Sequence, residues 1–205
     1  MITKQFTYKG QNITFNETDV ILVHKNKISS ISDIPSPVIR MLTKCYYNHA
    51  ALVVNYLDTL YIAEAVANGF VVTKRLDKYM TELGDVREIA VLRAKPEFGY
   101  TVETVYNNIT DIVNKPYAYG TLLFTQVIYL LTKKVFGKGW WTGKNNEDGK
   151  RTIECSEVIA NAYNTFFTGT IARTTPADIW CCSKFDVIFE SDLTDRSAFD
   201  KKYKK

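Results

Sequence analysis

Three short β-rich runs follow one another between His49 and Thr73 and constrain the fold more than anything else in the chain. They are His49 to Val54, Leu60 to Val66 and Phe70 to Thr73, separated by Asn55-Tyr56-Leu57-Asp58 and Asn68-Gly69. The dividers hold turn-forming residues, so the runs are expected to fold as an antiparallel meander. Asp19 to Val23 adds a buried strand, and Phe6-Thr7-Tyr8 with Ile13-Thr14-Phe15 flanks Lys9 to Asn12 as a small hairpin. Ile89 to Arg93 and Asp186 to Phe189 are further strands.

Helical spacing appears elsewhere. Val102, Val105, Tyr106, Ile109 and Val113 predict a helix over Tyr100 to Val113, and a shorter one is expected near Leu76 to Leu83. Pro37 can open a helix over Val38 to Tyr46, and Pro176 another to about Cys182. An apolar helix is expected near Tyr119 to Phe136, followed by a Gly-, Asn- and Lys-rich loop to Lys150. Pro116 to Thr132 is uncharged, yet it is shorter than the roughly 20 apolar residues of a membrane span. The resulting class is α+β: an antiparallel sheet with helices packed on it. At 205 residues the chain is expected to be a single domain, 1–205, with the hairpin 1–16 and the tail 191–205 peripheral.

The net charge of +4 is modest and partly carried by Lys201 to Lys205, so no nucleic acid partner is expected. Four cysteines, Cys45, Cys155, Cys181 and Cys182, show neither C-x-x-C spacing nor a disulfide framework. With only His24 and His49 as histidines, clustered metal ligands are not in view, and neither a metal nor another cofactor is expected. The start, Met-Ile-Thr-Lys-Gln-Phe, lacks the apolar core of a signal peptide, so a cytoplasmic, reducing location is the default. Delivery by a phage or secretion system is compatible with the same sequence.

Residues Arg151 to Tyr163 place Cys155 in the first turn of a helix predicted over about Glu154 to Phe167. A thiol there sits at the positive end of the helix dipole, which favours the nucleophilic thiolate. Packing is the competing account, because free Cys is among the most buried residue types. Cys45, on the helix before His49, and the Cys181-Cys182 pair are expected to be structural. His49 begins a strand, where a base for a helix-start thiol is wanted. His24 ends another strand beside Lys25 and Lys27 and is expected at the surface. Glu64 lies fifteen positions after His49 on the adjacent strand. A four-residue loop sets the two directly opposite, a two-residue loop at Leu57-Asp58 sets them diagonally on one face, and an odd loop separates them. An inward Glu needs a partner, which His49 supplies; pointing to solvent is the alternative.

The order of these motifs resembles the circularly permuted branch of the papain-like NlpC superfamily, the YiiX/YaeF-like amidases, in which the His strand precedes the Cys helix. The matching stretches are Asp19 to Leu22, Tyr47 to Val54, Glu64-Ala65 with Gly69 to Val71, Lys115 to Tyr117, Glu154 to Ile159 and Thr175 to Asp178. Together they span roughly residues 19 to 190. Thr18-Asp19 stands where the family usually shows Gly-Asp. The resemblance implies a Cys155 nucleophile, a His49 base, Glu64 as third residue and Tyr117 as an oxyanion candidate. It further implies a cysteine amidase or peptidase-like hydrolase of amide or ester bonds, acting through an acyl-enzyme on a small-molecule, peptide, cell-wall peptide or lipid substrate. A thiol acyltransferase acting on lipids and a non-catalytic binding module are the alternatives. Trp140-Trp141, with Lys133-Lys134 and Lys138, forms a candidate peripheral membrane contact, against the plainer account of two tryptophans capping the core.

Overall fold

In the computed structural model, residues 2–24, 45–66, 69–83, 88–116, 131–132, 135–137, 153–167, 171, 174–191, 196–197 and 199–200 are described. The strands are β1 (Thr3–Tyr8), β2 (Gln11–Asn16), β3 (Val20–His24), β4 (His49–Tyr56), β5 (Thr59–Val66), β6 (Gly69–Arg75), β7 (Glu88–Ala94) and β8 (Phe185–Glu190). The helices are α1 (Leu76–Leu83), α2 (Val102–Thr110), α3 (Cys155–Ala162) and α4 (Pro176–Trp180). A six-stranded sheet runs β6-β5-β4-β3-β7-β8, with every neighbouring pair antiparallel, and β1-β2 forms a separate hairpin. The fold is therefore α+β, as the strand and helix patterns predict.

The central strands of the sheet are buried on both faces, which explains why β3 and most of β4 read as unbroken apolar runs. On one face Leu22, Ala50, Leu52 and Ala63 join Val158, Ile159 and Ala162 of α3 and Val105 of α2. On the other, Ile21, Val23, Ala51 and Ile62 meet α1 through Leu76 and Met80. The hairpin, expected to be peripheral, contributes Tyr8, Ile13 and Phe15 to this second core. Each such side chain, fully buried, is worth about 1.5–3 kcal/mol. Arg93 on β7 adds a polar tie, clasping the Asp19 carboxylate through Nε and Nη2, each at 2.8 Å.

Several expectations need correction. His24 is buried, not superficial: its Nδ1–H donates to the Tyr46 carbonyl at 2.7 Å and its ring stacks on Tyr46 with centroids 3.9 Å apart. Cys45 and Tyr46 are not helical, and residues 25–44, where most of that helix was expected, lie outside the described residues. The Cys155 helix ends at Ala162 rather than Phe167. Tyr163 leaves helical geometry at φ −119°, ψ 53°, donates its hydroxyl to the Thr18 carbonyl at 2.7 Å and stacks on Phe166. In the tail, Arg196 pairs with Glu190 and lies over the Trp180 ring, while Phe199 packs edge-on against Tyr46. Most of the apolar helix expected at Tyr119 to Phe136, with Trp140 and Trp141, lies outside the described residues. Among the described residues no helix is long and apolar enough to cross a membrane.

Thr18 gives a direct test of the loop into β3. It has φ +73°, its N–H donates to the Val53 carbonyl at 2.8 Å, and its own carbonyl accepts Tyr163. A β-branched residue is strained in this left-handed region, where glycine is at ease. Relief of about 1–2 kcal/mol of strain is partly offset by the larger unfolded-state freedom of glycine. Thr18→Gly is expected to stabilise the protein by up to about 1 kcal/mol in urea denaturation.

Candidate functional site

The start of α3 is fastened from two sides. Glu154 occupies the N-cap position in an extended conformation, and its N–H donates to Glu157 Oε2 at 2.7 Å. One residue earlier, the Ile153 N–H donates to the Pro116 carbonyl at 2.9 Å. The segment holding Pro116 is itself bound to β6: Phe70 donates to the Lys115 carbonyl and Asn114 donates to the Phe70 carbonyl, both at 2.9 Å. Gly69 makes that approach feasible. Its φ is +97°, and a Cβ there would lie 2.0 Å from the Lys115 carbonyl oxygen. A continuous backbone path thus runs from the β6 edge to the residue two positions before Cys155. Tyr117, the oxyanion candidate, follows Pro116 in sequence and lies outside the described residues.

His49 and Glu64 are brought together. The β4–β5 connection is the two-residue turn Leu57-Asp58, with φ +46° and +58°, so Tyr56 pairs with Thr59 and Leu52 with Ala63. This is the diagonal case, with both side chains on one face. His49 Nε2 lies 2.6 Å from Glu64 Oε2, and both residues are buried, at 8% and 5% exposure. A carboxylate acceptor requires the proton on Nε2, which leaves the lone pair of the neutral ring on Nδ1. Glu64 Oε1 in turn accepts the Thr73 hydroxyl at 2.9 Å.

Cys155 is the first residue of α3 and is 8% exposed. Helix α3 packs chiefly against β4, the strand that His49 opens. The faces differ, however. His49 sits directly opposite Val23, which belongs to the α1-side core, whereas Val158 and Ile159 of α3 belong to the other core. Thiol and imidazole could meet only around the N-terminal end of β4, not through the sheet.

Sequence reasoning missed Thr73, Glu154 and Glu157. Thr73 carries no local signal, because its role depends on the strand pairing. The Glu-Cys-Ser-Glu spacing of Glu154 and Glu157 is that of an N-cap and N3 pair and was legible as a cap. Among the described residues no group of three or more His, Cys, Asp or Glu side chains is placed to hold a metal ion.

No protein-family model and no curated protein matches the sequence. Among solved structures, the chain is similar to a crystal structure of the metalloprotein yiiX from Escherichia coli O157:H7. The identity is 16%, the TM-score 0.48, and the match covers 85% of this chain and 97% of that one.

The two glutamates flanking Cys155 dominate the local electrostatics. Both Glu154 oxygens and Glu157 Oε1 are buried without a hydrogen-bond partner. Burial, then repulsion from Glu157 and from a Cys155 thiolate, holds the Glu154 carboxyl well above the usual range. Burial pushes Glu157 up to about 8, with Cys155 adding to the rise, while the Glu154 N–H and the Lys115 charge oppose it. A carboxyl that keeps its proton in the folded state and loses it on unfolding contributes stability that is complete below about pH 4.5. That contribution disappears as pH rises through about 8, by up to about 1.4 kcal/mol per pH unit per proton. Glu157→Gln has no such proton to lose. Its stability relative to wild type is expected to improve by more than about 1 kcal/mol between pH 5 and pH 8, measured by urea denaturation at each pH. A constant difference across that range would show that Glu157 is already ionised in the folded protein.

Proposed function

We propose that the protein is a cysteine-dependent hydrolase of amide or ester bonds, of the permuted papain-like kind that its motif order resembles. Cys155 is the nucleophile, His49 the base, and Glu64 the group that fixes the His49 ring. The observation that carries this reading is the buried 2.6 Å contact of His49 Nε2 with Glu64 Oε2, at the end of the strand on which the Cys155 helix packs. A His–Glu pair locked in this tautomer is what a thiol base needs, because the lone pair is then on Nδ1 and the charged ring is stabilised once it takes a proton.

The reaction follows from these roles. His49 Nδ1 takes the thiol proton, and the Cys155 sulfur attacks the acyl carbon, pushing the carbonyl electrons onto oxygen. The positive end of the α3 dipole and the backbone N–H groups of its first turn stabilise that oxyanion. Collapse expels the amine or alcohol, which takes the proton from His49, and leaves a thioester. Water, deprotonated by His49, then attacks the thioester, releases the acid and returns the proton to the thiol. Transfer of the acyl group to another nucleophile differs only in this last step, and the acyl group is that of a small amide, a peptide or a lipid.

Thiol alkylation followed by mass spectrometry tests the assignment. Cys155 is expected to react with iodoacetamide at pH 6 faster than exposed Cys181, since an ordinary thiol is mostly protonated there. His49→Ala is expected to slow Cys155 by about a hundredfold and Glu64→Gln by about tenfold. Turnover of a panel of peptide, amide and ester substrates should vanish in Cys155→Ala. If Cys155 reacts no faster than Cys181, is indifferent to His49→Ala, and the panel is inert, the protein is a binding module rather than an enzyme.

A further inference from the structure

The pairing of β5 with β6 contains one extra residue. Tyr61 faces Arg75 and Ile62 faces Lys74, but the next pairs are Ala63 with Val72 and Glu64 with Val71. Thr73 is the residue left over on β6. A bulge of this kind bends the strand and re-aims a side chain, and here the side chain is turned toward the Glu64 carboxylate. Thr73 Oγ1 lies 2.9 Å from Glu64 Oε1 and 3.3 Å from the Ile62 carbonyl oxygen. A hydroxyl has one proton to give, and the nearer, charged oxygen takes it.

We propose that Thr73 is a positioning residue of the same site, acting on His49 through Glu64. The inference rests on the functional reading above. With Thr73 on Oε1 and His49 on Oε2, both carboxylate oxygens are engaged and the plane of the carboxylate is set. The hydroxyl also stabilises the ionised form of a carboxyl that is buried, and burial alone would favour its neutral form. A neutral Glu64 would no longer stabilise the charged His49 ring. Thr73 therefore controls how readily His49 accepts a proton, without touching substrate or thiol.

The test compares Thr73→Val, which keeps the branched shape and removes the hydroxyl, with Thr73→Ser, which restores it. The second-order rate of Cys155 alkylation is measured from pH 5 to 9, and the His49 ring nitrogens are followed by nitrogen-15 NMR. Thr73→Val is expected to slow alkylation by about tenfold, the loss of one hydrogen bond to a charged group. Its acid limb should move to lower pH, and its ring-nitrogen signals should lose the fixed Nε2–H pattern. Thr73→Ser should stay within about twofold of wild type in rate and keep the wild-type pH profile. A bulge that matters only for folding would change the denaturation midpoint and leave profile and tautomer alone; that result overturns the proposal. Should Thr73→Val not fold, Thr73→Ala is measured in the same way, and a wild-type pH profile in it counts equally against Thr73. Insensitivity of Cys155 to His49→Ala would remove the functional reading and this proposal together. A slow His49→Ala beside a wild-type Thr73→Val removes only the role of Thr73.

Discussion

The two-residue turn at Leu57-Asp58 is the constraint on which the candidate site depends. It puts Tyr56 opposite Thr59 and carries the pairing back along β4 and β5 in a register that places His49 and Glu64 on one face, two residues off direct opposition. One residue more in that turn would move every β5 side chain to the other face, burying Ala63 and Ala65 where Glu64 now lies. The turn requires positive φ at both central positions, and Leu57 takes +46° without being glycine or asparagine. The sheet supplies the compensation: Val53, Val54, Leu60 and Ile62 are all buried on the two sides of this hairpin. Register is thus dictated by burial, and the turn conforms to it.

Central strands covered on both faces leave little room for polar chemistry except at their ends. The candidate residues collect there. His49 is the first residue of β4, Glu64 lies near the end of β5, and Gly69 opens β6. The 114–116 segment then links β6 to the start of α3 through three backbone hydrogen bonds. Coupling of this kind makes the position of Cys155 a property of the sheet edge. A side chain at Gly69 would displace the Lys115 carbonyl and, through Pro116 and Ile153, the helix start.

Much of this was legible in the sequence, and most of what was not depends on contacts remote in the chain. The meander, the strand at Val20, the α1 segment and the His49–Glu64 association follow from β-branched runs, turn residues and the cost of an unpaired inward glutamate. The choice between a two- and a four-residue loop did not, because Asn55-Tyr56-Leu57-Asp58 lacks the Asn-Gly or Asp-Gly pair that marks a tight turn. His24 was misread from its lysine neighbours, since its burial comes from stacking on Tyr46, twenty-two positions away. Likewise α3 stops at Ala162 because Tyr163 is drawn into contacts with Thr18, Tyr100 and Phe185, all remote in sequence. Thr73 reaches Glu64 only through a one-residue slip between strands. Local pattern reads what is local; His24, Tyr163 and Thr73 are side chains whose partners are supplied by the fold.

The start of α3 offers one favourable position for negative charge and three groups that could claim it. A helix N-terminus stabilises an anion, and Glu154, Cys155 and Glu157 all lie within its first turn. Were both glutamates ionised at neutral pH, their repulsion would work against a thiolate between them. Burial prevents this: it holds Glu154 far above the ordinary carboxyl range and Glu157 up to about 8. Burial thus favours the neutral form of both carboxyls and leaves the helix dipole to the thiol. Above about pH 8 Glu157 gives up its proton and becomes a second anion beside Cys155. The same burial that costs stability as pH rises thus sets an upper pH bound on how freely Cys155 can carry charge.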